Sequence, residues 1–527
     1  MYRKIFVAIV TAVLLVTVVS AGCLGSLSPT TSQSAKTADD EITETVINTF
    51  EKLTHIPRPS HHEEQISAYL ENWAKKNGFD VIRDKENNLI IDVSATPGME
   101  DRPKVALQGH MDMVFAAADG LHLDPLTTRV KMVRHDSTVT SDGTTSLGAD
   151  DGIGLAIMMC TAEGKMSHGP LRLIMTTNEE DGSTGVNALD KSHIQDINYL
   201  INIDSEREGE VTISSAARCV VYFSDTYTPV KPAGDTAVTI SLSGLTSGHS
   251  GTDIDKGRLN AIIGLGSILD TVSGSVDFEL QQFKGGSASN AIPSAASTVI
   301  VIKESDFETV EKICSTAYEE LKSKHEKTDP EMKFSIEKSS GLHDVMPDDK
   351  KENLLKLVRK MNDGVHTWSP YLEGLVESSG NLGPLDANAE GMTAVSDVRG
   401  SVQDKVEELV SDRQELAKEC NMNADVVITA NPWPYNPDSR LLKTTQESYK
   451  KLFGKEIKVV ALNAGLECGA FYIYNPNLDM IAIGPTIHNP HSIKETLETD
   501  SIAKVWRLLE DILGSIDNKQ NETSTIG

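Results

Sequence analysis

Short apolar segments, each followed directly by acidic or histidine residues, constrain the fold of this chain more than any other feature. Five segments are predicted to be buried strands: Asn88 to Val93, Lys104 to Leu107, Leu171 to Thr176, Tyr199 to Ile203 and Met480 to Ile483. Helices are predicted between the first four, and amphipathic helices precede them over 42–53 and 62–76. This alternation predicts an α/β sheet, in which functional residues gather at the carboxyl ends of strands.

Composition limits the kind of protein that this sheet can belong to. The length of 527 residues predicts two to four domains, and 39% apolar with 24% charged residues is typical of a globular protein. Acidic residues outnumber basic ones 77 to 49, and a net charge of -28 repels phosphate backbones. The sequence therefore predicts no nucleic-acid partner. Five of the six cysteines are predicted to be packing residues, because no pair has metal-site or redox spacing.

The amino terminus has the pattern of a secretion signal. Residues 1–22 contain two basic residues, an apolar run and small residues before Cys23, similar to a prokaryotic lipobox with Ser20 where leucine is usual. This pattern predicts cleavage, lipidation of Cys23 and a disordered tether over 23–40. An uncleaved anchor is the alternative, although the apolar run is short for a membrane span. Both predict a location on the extracytoplasmic face of the membrane. Residues 517–527 are predicted to be a polar tail.

Side chains of types that commonly bind metal ions follow the predicted strands, and one more lies at the start of a predicted helix. These side chains are His110 and Asp112, Asp150, Glu179 and Glu180, Asp204, and His488 with His491. Each alone more often marks a cap or a solvated strand end, but their joint occurrence indicates a functional site. Oxygen and imidazole ligands without thiolates suit a pair of zinc, manganese or cobalt ions, with zinc as the first choice. Two close ions need a bridging carboxylate and an unliganded carboxylate that takes a proton from the bridging water.

Several of these runs together resemble the aminoacyl-histidine dipeptidases, a family of dinuclear zinc metallopeptidases. The runs are ALQGHMDMV (106–114), LGADDGIGLA (147–156), NEEDGSTG (178–185), NIDSEREGE (202–210) and GPTIHNPHS (484–492). The likeness covers nearly all of the chain after the tether. It implies a zinc-peptidase-like mixed sheet flanked by helices, in a catalytic domain over 41–216 and 431–516. An α+β lid domain over 217–430 would interrupt it, and a homodimer through this lid is compatible with the resemblance.

The resemblance also implies roles for the candidate metal-site residues. His110 and Asp204 would hold one zinc ion, Glu180 and His491 the other, and Asp150 would bridge the two. Asp112 would orient His110. Glu179 would be the general base that takes a proton from the metal-bound water and later passes it to the leaving amine.

Substrate-binding residues are implied in the lid. His249 would stabilise the tetrahedral oxyanion, while Asn290 and Arg399 would grip the terminal carboxylate of the substrate. Two positions depart from the family pattern: Asn463 stands where histidine is usual, and Asp151 where asparagine is usual. Neither is a metal ligand in this mapping, but Asn463 leaves the selectivity for histidine-containing dipeptides open.

The sequence therefore predicts a metal-dependent dipeptidase with Xaa-His dipeptides as candidate substrates. A related aminoacylase or metallocarboxypeptidase would share the metals and differ in the lid pocket. An inactive, lipid-anchored peptide-binding protein is the alternative outside enzymes, and retention of all five ligands and Glu179 argues against it. His491 is favoured over His488 as the ligand. His61 and His62 are predicted to be capping residues, and Cys468 to be core.

Overall fold

The computed structural model of the protein describes residues 37–517. The predicted signal over 1–22, Cys23, the tether up to residue 36 and the tail from residue 518 lie outside the described residues. Within 37–517, every helix is too short or too polar to cross a membrane.

Eleven α-helices are formed by the described residues. They are α1 (Ala38–Thr54), α2 (Glu64–Lys76), α3 (Ala149–Cys160), α4 (Thr184–Ala188), α5 (Ala261–Ser273), α6 (Phe307–His325), α7 (Asp348–Lys360), α8 (Gln403–Glu419), α9 (Arg440–Phe453), α10 (Cys468–Tyr474) and α11 (Thr499–Ser515).

Twenty-one strands accompany them in the described part of the chain. They are β1 (Asp80–Arg83), β2 (Leu89–Val93), β3 (Val105–His110), β4 (Met132–Arg134), β5 (Thr138–Ser141), β6 (Leu171–Thr176), β7 (Tyr199–Asn202), β8 (Glu210–Ser215), β9 (Ala217–Thr226), β10 (Thr236–Ser243), β11 (Glu279–Gly285), β12 (Ala296–Ile302), β13 (Lys333–Lys338), β14 (Gly364–Trp368), β15 (Val376–Ala387), β16 (Gly391–Gly400), β17 (Asn423–Ala430), β18 (Lys458–Leu462), β19 (Asp479–Ala482), β20 (Ile487–His488) and β21 (Thr496–Glu498).

The first helix begins earlier than its apolar pattern predicts. The Thr37 hydroxyl accepts a hydrogen bond from Asp40 N at 3.2 Å, and the Asp40 carboxylate accepts one from Thr37 N at 2.7 Å. This reciprocal capping box fixes the start of α1 at Ala38. The last residues of the predicted tether, 38–40, are therefore helical, because capping extends α1 beyond the part that its buried face indicates.

An eight-stranded mixed sheet carries the predicted site. Its strand order is β1-β2-β6-β3-β7-β19-β8-β18, and the central strands β6, β3, β7 and β19 run parallel. Every residue of these four strands is buried. Leu107 packs on one face with residues of α1, α3, α9 and α11, whereas Ala106 packs on the other with residues of α4 and α10. Helices on both faces explain why the parallel strands read as continuous apolar runs.

The predicted helix between β2 and β3 is absent. Residues 94–104 form turns and irregular backbone that include Pro97 and Pro103. Prolines end helices, and β2 runs antiparallel to β6 while β3 runs parallel to β6, so this connection needs no helical crossover. The other predicted connections contain α3 and the short α4.

A second, wholly antiparallel sheet follows in the chain. Its order is β13-β10-β12-β11-β15-β16-β9-β17, with β14 added beside β15. It has its own apolar core, to which α5, α6, α7 and α8 contribute. The chain passes from one sheet to the other at Ala216, between β8 and β9, and returns after Ala430. Trp433 and Ser215 pair at this return point. The strands of this sheet lie between Ala217 and Ala430.

A small sheet brings the carboxyl-terminal part of the chain to the site. Its order is β20-β21-β5-β4, and β21 pairs antiparallel with β5. β5 is followed by the loop into α3, and β20 is followed by His491. This pairing explains how a histidine so late in the sequence reaches Asp150.

Candidate active site

Of seven site residues predicted from the sequence, five lie at the carboxyl ends of the parallel strands, one at a helix start and one after β20. His110 is the last residue of β3, Asp112 follows it, Glu179 and Glu180 follow β6, Asp204 follows β7, Asp150 is at the start of α3, and His491 follows β20. The sheet thus collects side chains from sequence positions that span most of the described chain.

The Asp150 carboxylate lies between two imidazoles. Its Oδ1 is 3.0 Å from Nε2 of His110, and its Oδ2 is 3.0 Å from Nε2 of His491. Asp204 Oδ1 is 3.6 Å from the same nitrogen of His110, and Glu180 Oε2 is 2.9 Å from Nε2 of His491. The five side chains therefore form two groups of donor atoms that share Asp150.

The donor atoms fit divalent cations. Ligand atoms of His110, Asp150 and Glu180 all lie within 4.8 Å of one another. Glu180 Oε1 is buried and has no hydrogen-bond partner among the described residues. Burial raises the pKa of Asp204 to about 6, with the charges of Asp150 and Glu180 adding to the effect. Crowded, buried carboxylates call for a compensating positive charge, and carboxylate with imidazole is the donor set of zinc and manganese sites.

Asp112 holds both His110 and the turn that follows β6. Its Oδ1 is 3.4 Å from Nδ1 of His110. The same carboxylate accepts backbone hydrogen bonds from Glu179 at 3.0 Å and Glu180 at 3.2 Å, and one from the Ser60 hydroxyl at 2.8 Å. One buried carboxylate therefore fixes the imidazole and the two glutamates relative to each other.

A tight turn brings the two adjacent glutamates to the site. Asn178 has φ 52° and Gly182 has φ 99°, so the backbone leaves the extended conformation on both sides of Glu179 and Glu180. Burial raises the pKa of Glu179 well above its usual range, and the charges of Asp204 and other nearby carboxylates act in the same direction, although His110 opposes them. The protonated form of Glu179 is thus favoured relative to that of an exposed glutamate.

Arg58 is a buried residue that sequence reasoning did not single out. Its Nη1 donates to the carbonyl oxygens of Met111 at 2.9 Å and Asp112 at 2.7 Å, and its Nη2 donates to that of Gly148 at 2.5 Å. Its guanidinium therefore joins the loop after β3 to the loop before α3.

Glu495 supports the start of α3 and was also missed. Its carboxylate accepts backbone hydrogen bonds from the four residues 147–150, at 2.8, 2.9, 2.7 and 3.3 Å in chain order. A carboxylate at a helix amino terminus is stabilised by the free N–H groups there. This contact positions the backbone of Asp150.

Glu467 lies beneath the strand ends. Its Oε2 accepts hydrogen bonds from Gln108 Nε2 at 2.5 Å and from the Thr176 hydroxyl at 2.6 Å. Gln108 in turn accepts one from Asn202 Nδ2 at 2.7 Å. Burial raises the pKa of Glu467 to about 7. This network links β3, β6 and β7 immediately below the residues of the site.

Asp151, one of the two departures from the family pattern, is buried behind His110. Its Oδ2 accepts a hydrogen bond from His110 N at 3.2 Å. A Cβ at Gly109 or at Gly154 would lie 2.1 Å from an oxygen of this carboxylate. Glycine at these two positions therefore makes room for Asp151, and the peptide bond between Asp150 and Asp151 is cis.

His249 in the lid has a defined tautomer. Its Nδ1 accepts backbone hydrogen bonds from Gly251 at 3.1 Å and Thr252 at 3.2 Å, so the ring proton is on Nε2. Burial and the nearby charge of Arg399 lower the pKa of His249, which favours the neutral ring. A neutral imidazole with a free Nε2–H can donate a hydrogen bond to a developing oxyanion.

The remaining lid residues form a second group. Arg399 is 4% exposed, its Nε lies 3.1 Å from Asp397 Oδ2, and its Nη1 donates to the carbonyl oxygen of Asn463 at 3.4 Å. Asn290 is exposed, and its carbonyl oxygen accepts a hydrogen bond from Ser250 N at 2.8 Å. Among residues 37–517, no hydrogen bond or ion pair joins this group to the seven site residues.

The other histidines and the cysteine considered as candidate site residues make different contacts. His488 is exposed and bonds to Glu498 at 2.7 Å, away from Asp150. His61 bonds to Asp181 at 2.9 Å on the surface rather than capping α2, and no side chain caps that helix. Cys468 is buried, which raises the pKa of its thiol well above the usual value. All five cysteines within 37–517 are buried and unpaired, as predicted for packing residues.

Comparison with known proteins finds two relatives at 30% identity or more and one further structure with the same fold. A cytosol non-specific dipeptidase of Escherichia coli K12 is 32% identical over 473 residues, which cover 89% of this chain and 97% of the relative. The crystal structure of an aminoacylhistidine dipeptidase from Vibrio alginolyticus matches with a TM-score of 0.85 at 30% identity, over 90% of this chain and 97% of that one. Aminopeptidase PepT from Bacillus cereus has the same fold, with a TM-score of 0.51 at 17% identity over 89% and 98% of the two chains.

The predicted location on the extracytoplasmic face of the membrane is wrong in the light of these relatives. The Escherichia coli protein is named for the cytosol, and its likeness extends over almost all of the folded chain. The prediction rested on residues 1–22 and Cys23 alone, which lie outside the described residues. The apolar run is short for a membrane span and the lipobox is imperfect. This N-terminal pattern was therefore a weaker guide to cellular location than the likeness of the folded chain.

The family comparison covers most of the described chain. The sequence pattern described as peptidase family M20/M25/M40 matches residues 106–515, a span that begins on β3 before His110 and ends beyond His491. Together with the two relatives at 30% identity or more, this match shows that the chain belongs to peptidase family M20/M25/M40.

Proposed function

We propose that this chain is a metal-dependent dipeptidase whose site holds two divalent cations. The observation that carries the proposal is the Asp150 carboxylate, which lies 3.0 Å from Nε2 of both His110 and His491. The dipeptidase names of the Escherichia coli and Vibrio alginolyticus relatives support the same activity.

Five side chains would hold the cations. His110 and Asp204 would bind one, Glu180 and His491 the other, and Asp150 both. Zinc is the proposed ion, with cobalt or manganese as alternatives that the same oxygen and nitrogen donors accept. When bound, such ions supply Lewis-acid activation of a water molecule and of the substrate carbonyl.

Glu179 would move the proton. Its carboxylate would take a proton from the attacking water and then donate it to the amine that leaves when the peptide bond breaks. The raised pKa of Glu179, caused mainly by burial, supports this role because it favours the protonated form that must donate to the amine. Asp112 would keep Glu179 in place through the backbone hydrogen bond of 3.0 Å and would orient His110.

The lid residues would bind and polarise the substrate. His249 would donate its Nε2–H to the oxyanion, and Arg399 with Asn290 would bind the terminal carboxylate. The tautomer of His249 and the burial of Arg399 support these roles. Because no described contact joins these residues to the seven site residues, the substrate itself would connect the two groups.

We further propose that the enzyme prefers Xaa-His dipeptides. The name of the Vibrio alginolyticus relative supports it, whereas the Escherichia coli relative is named non-specific. Asn463 contacts Gly251 and Ser379 in the lid at 3.3 and 2.9 Å, so its side chain borders the proposed substrate pocket. Substrate selectivity therefore needs measurement across different C-terminal residues.

We also propose a catalytic domain over 41–216 and 431–516, a lid over 217–430 and a homodimer through the lid. The change of sheet at Ala216 supports the first boundary. The edge strand β17 exposes Val427 and Ile428, at 46% and 67%, which supports an interface there because unpaired edges favour association. Light scattering during size-exclusion chromatography tests the dimer, and a monomer at micromolar concentration would contradict it.

Hydrolysis of defined substrates by the zinc-loaded full-length chain tests the proposed activity. We expect release of free amino acids from Ala-Ala and Ala-His, with much slower cleavage of N-acetylalanine and of tetra-alanine. Rapid deacetylation would favour an aminoacylase, and rapid cleavage of the longer peptide would favour a carboxypeptidase. Binding without turnover of any compound would favour the inactive binding protein.

A further inference from the structure

Two arginines face each other across neighbouring strands of the lid sheet. Arg218 on β9 is the direct cross-strand partner of Arg399 on β16. Side chains of directly opposed residues lie on the same face of a sheet, and like charges in this arrangement are destabilising. The pair therefore needs a compensating anion or a function that accounts for it.

Among residues 37–517, Asp397 is the one carboxylate that forms ion pairs with the two guanidinium groups. Asp397 Oδ1 accepts a hydrogen bond from Arg218 Nε at 2.8 Å, and Asp397 Oδ2 lies 3.1 Å from Nε of Arg399. The same Oδ2 also accepts a hydrogen bond from the Ser250 hydroxyl at 2.6 Å. Asp397 and Arg399 alone form a neutral pair, so Arg218 gives this cluster its net positive charge.

Neighbouring groups do not neutralise this charge. His249 adds none because its ring is neutral, and the charges of both arginines help to lower its pKa after the effect of burial. Asp253, whose charge acts on His249 together with that of Asp397, pairs with Lys256 and lies 3.5 Å from Arg258. One positive charge therefore remains in a region where Arg399 is 4% exposed.

The arginine pair lies on the face of the lid sheet that points away from α8. Ala217 and Val398, the sequence neighbours of the two arginines, pack with residues of α8. Because side chains alternate along a strand, Arg218 and Arg399 project to the opposite face. There Arg218 Nη2 donates to the Ser289 hydroxyl at 2.9 Å, beside Asn290, and Arg399 reaches the carbonyl oxygen of Asn463.

We propose that Arg218 is a specificity-determining residue that, with Arg399, binds the free α-carboxylate at the C-terminus of the substrate. The inference deepens the proposed function, on which it rests. It adds Arg218 to Arg399 and Asn290 at the terminal carboxylate and predicts that Arg218 sets the discrimination against C-terminal amides. Asp397 holds both guanidinium groups in place, and Arg218 adds the positive charge that Asp397 alone does not balance.

The test compares Ala-Ala with Ala-Ala amide, which differ in the C-terminal charge. The zinc-loaded full-length wild type, Arg218→Gln and Arg218→Lys are measured with both compounds. In Arg218→Gln we expect KM for Ala-Ala to rise about 10- to 100-fold with kcat nearly unchanged, as for loss of uniform binding. KM for the amide should change less than threefold. Arg218→Lys should recover part of the loss because it restores the charge.

Arg359→Gln is the matched control, since Arg359 is 54% exposed on α7 and pairs with Asp270 away from the cluster. It should leave both KM values unchanged. A folding defect in Arg218→Gln would lower the rates for both compounds alike, so the ratio between them remains informative. An unchanged ratio in Arg218→Gln overturns the inference.

Failure of the proposed function gives a different result. If wild type cleaves neither compound, the dipeptidase proposal fails, and calorimetric titration of intact Ala-Ala and its amide into the same proteins measures the two Kd values directly. A 10-fold or greater loss of the preference for Ala-Ala in Arg218→Gln would still support the carboxylate site. Equal preference in wild type and Arg218→Gln would reject it.

Discussion

Glu179 and Glu180 are adjacent in the chain but have different surroundings. Glu180 Oε2 lies 2.9 Å from His491 Nε2, beside Asp150, whereas no hydrogen bond or ion pair involves the Glu179 carboxylate among the described residues. This difference supports metal binding by Glu180 and proton transfer by Glu179.

Glu179→Gln should keep the bound ions and the substrate affinity but lose turnover. A glutamine has the size of the glutamate and cannot accept a proton at neutral pH, so we expect kcat for Ala-Ala to fall by about 100- to 10,000-fold. Steady-state kinetics and metal analysis of the same preparation measure the two effects. Glu180→Gln is the comparison variant and should lose part of its metal as well. Metal loss in Glu179→Gln with full retention in Glu180→Gln would reverse the two roles.

At the scale of elements, the loops that follow β3 and precede α3 depend on Arg58. Its three carbonyl partners are buried, so removal of the guanidinium leaves polar groups without partners. We expect Arg58→Met to lower the free energy of unfolding by about 3 kcal/mol, as is typical when one partner of a buried charged network is removed. Urea denaturation measures this change. Arg129→Met, at an exposed position, is the control and should be nearly neutral. Equal stability of the two variants would show that Arg58 is dispensable for the fold.

Asp363 should make the stability of the lid depend on pH. It accepts hydrogen bonds from Leu382 N at 2.6 Å and Asn260 Nδ2 at 3.0 Å, and burial raises its pKa to about 6. In the unfolded chain the pKa is about 3.9, so between these values the folded state binds more protons. The free energy of unfolding should therefore fall as pH rises through this window, by at most about 1.4 kcal/mol per unit.

Asp363→Asn removes this titration because the amide stays neutral, and its Oδ1 can still accept both hydrogen bonds. Urea denaturation of the two proteins between pH 4 and 6.5, in the presence of a chelator, should give a difference in stability that grows with pH in favour of the variant. Parallel stability profiles would rule out Asp363 as the source of the pH dependence.

The buried strands were predictable from the sequence because each has a local run of apolar residues. The strands β3, β6 and β7 have continuous apolar runs because helices cover both faces, and their polar ends mark His110, Glu179 and Asp204. The helix predicted between β2 and β3 was wrong because strand direction, which is set by distant partners, removed the need for it.

Long-range contacts were not predictable in the same way. Glu495 binds the backbone of 147–150 across more than 340 positions of sequence, and an isolated glutamate gives no sign of such a partner. Arg218 likewise becomes notable only when the strand register sets it opposite Arg399. Contacts of this kind depend on the tertiary arrangement rather than on local sequence pattern.

At the scale of the whole molecule, the site joins parts of the chain that are far apart, from Ser60 to Glu495. Ions that bind the folded state but not the unfolded chain should therefore stabilise the whole catalytic domain. At a hundredfold excess over Kd the gain is about 2.7 kcal/mol for each ion, so we expect EDTA to lower Tm by several degrees. Differential scanning calorimetry measures the change. EDTA already saturated with zinc is the control and should have no effect, and an unchanged Tm with free EDTA would argue against stabilising ions.

Metal analysis of the purified full-length chain tests whether two cations share the Asp150 carboxylate. Wild type and Asp150→Ala are dialysed against the same trace of zinc, and bound metal is counted per chain by mass spectrometry. We expect two ions in wild type and loss of both in Asp150→Ala, because the Asp150 carboxylate lies between His110 and His491 and would serve both ions. A single tightly held ion in wild type, or two ions retained in Asp150→Ala, would contradict this sharing.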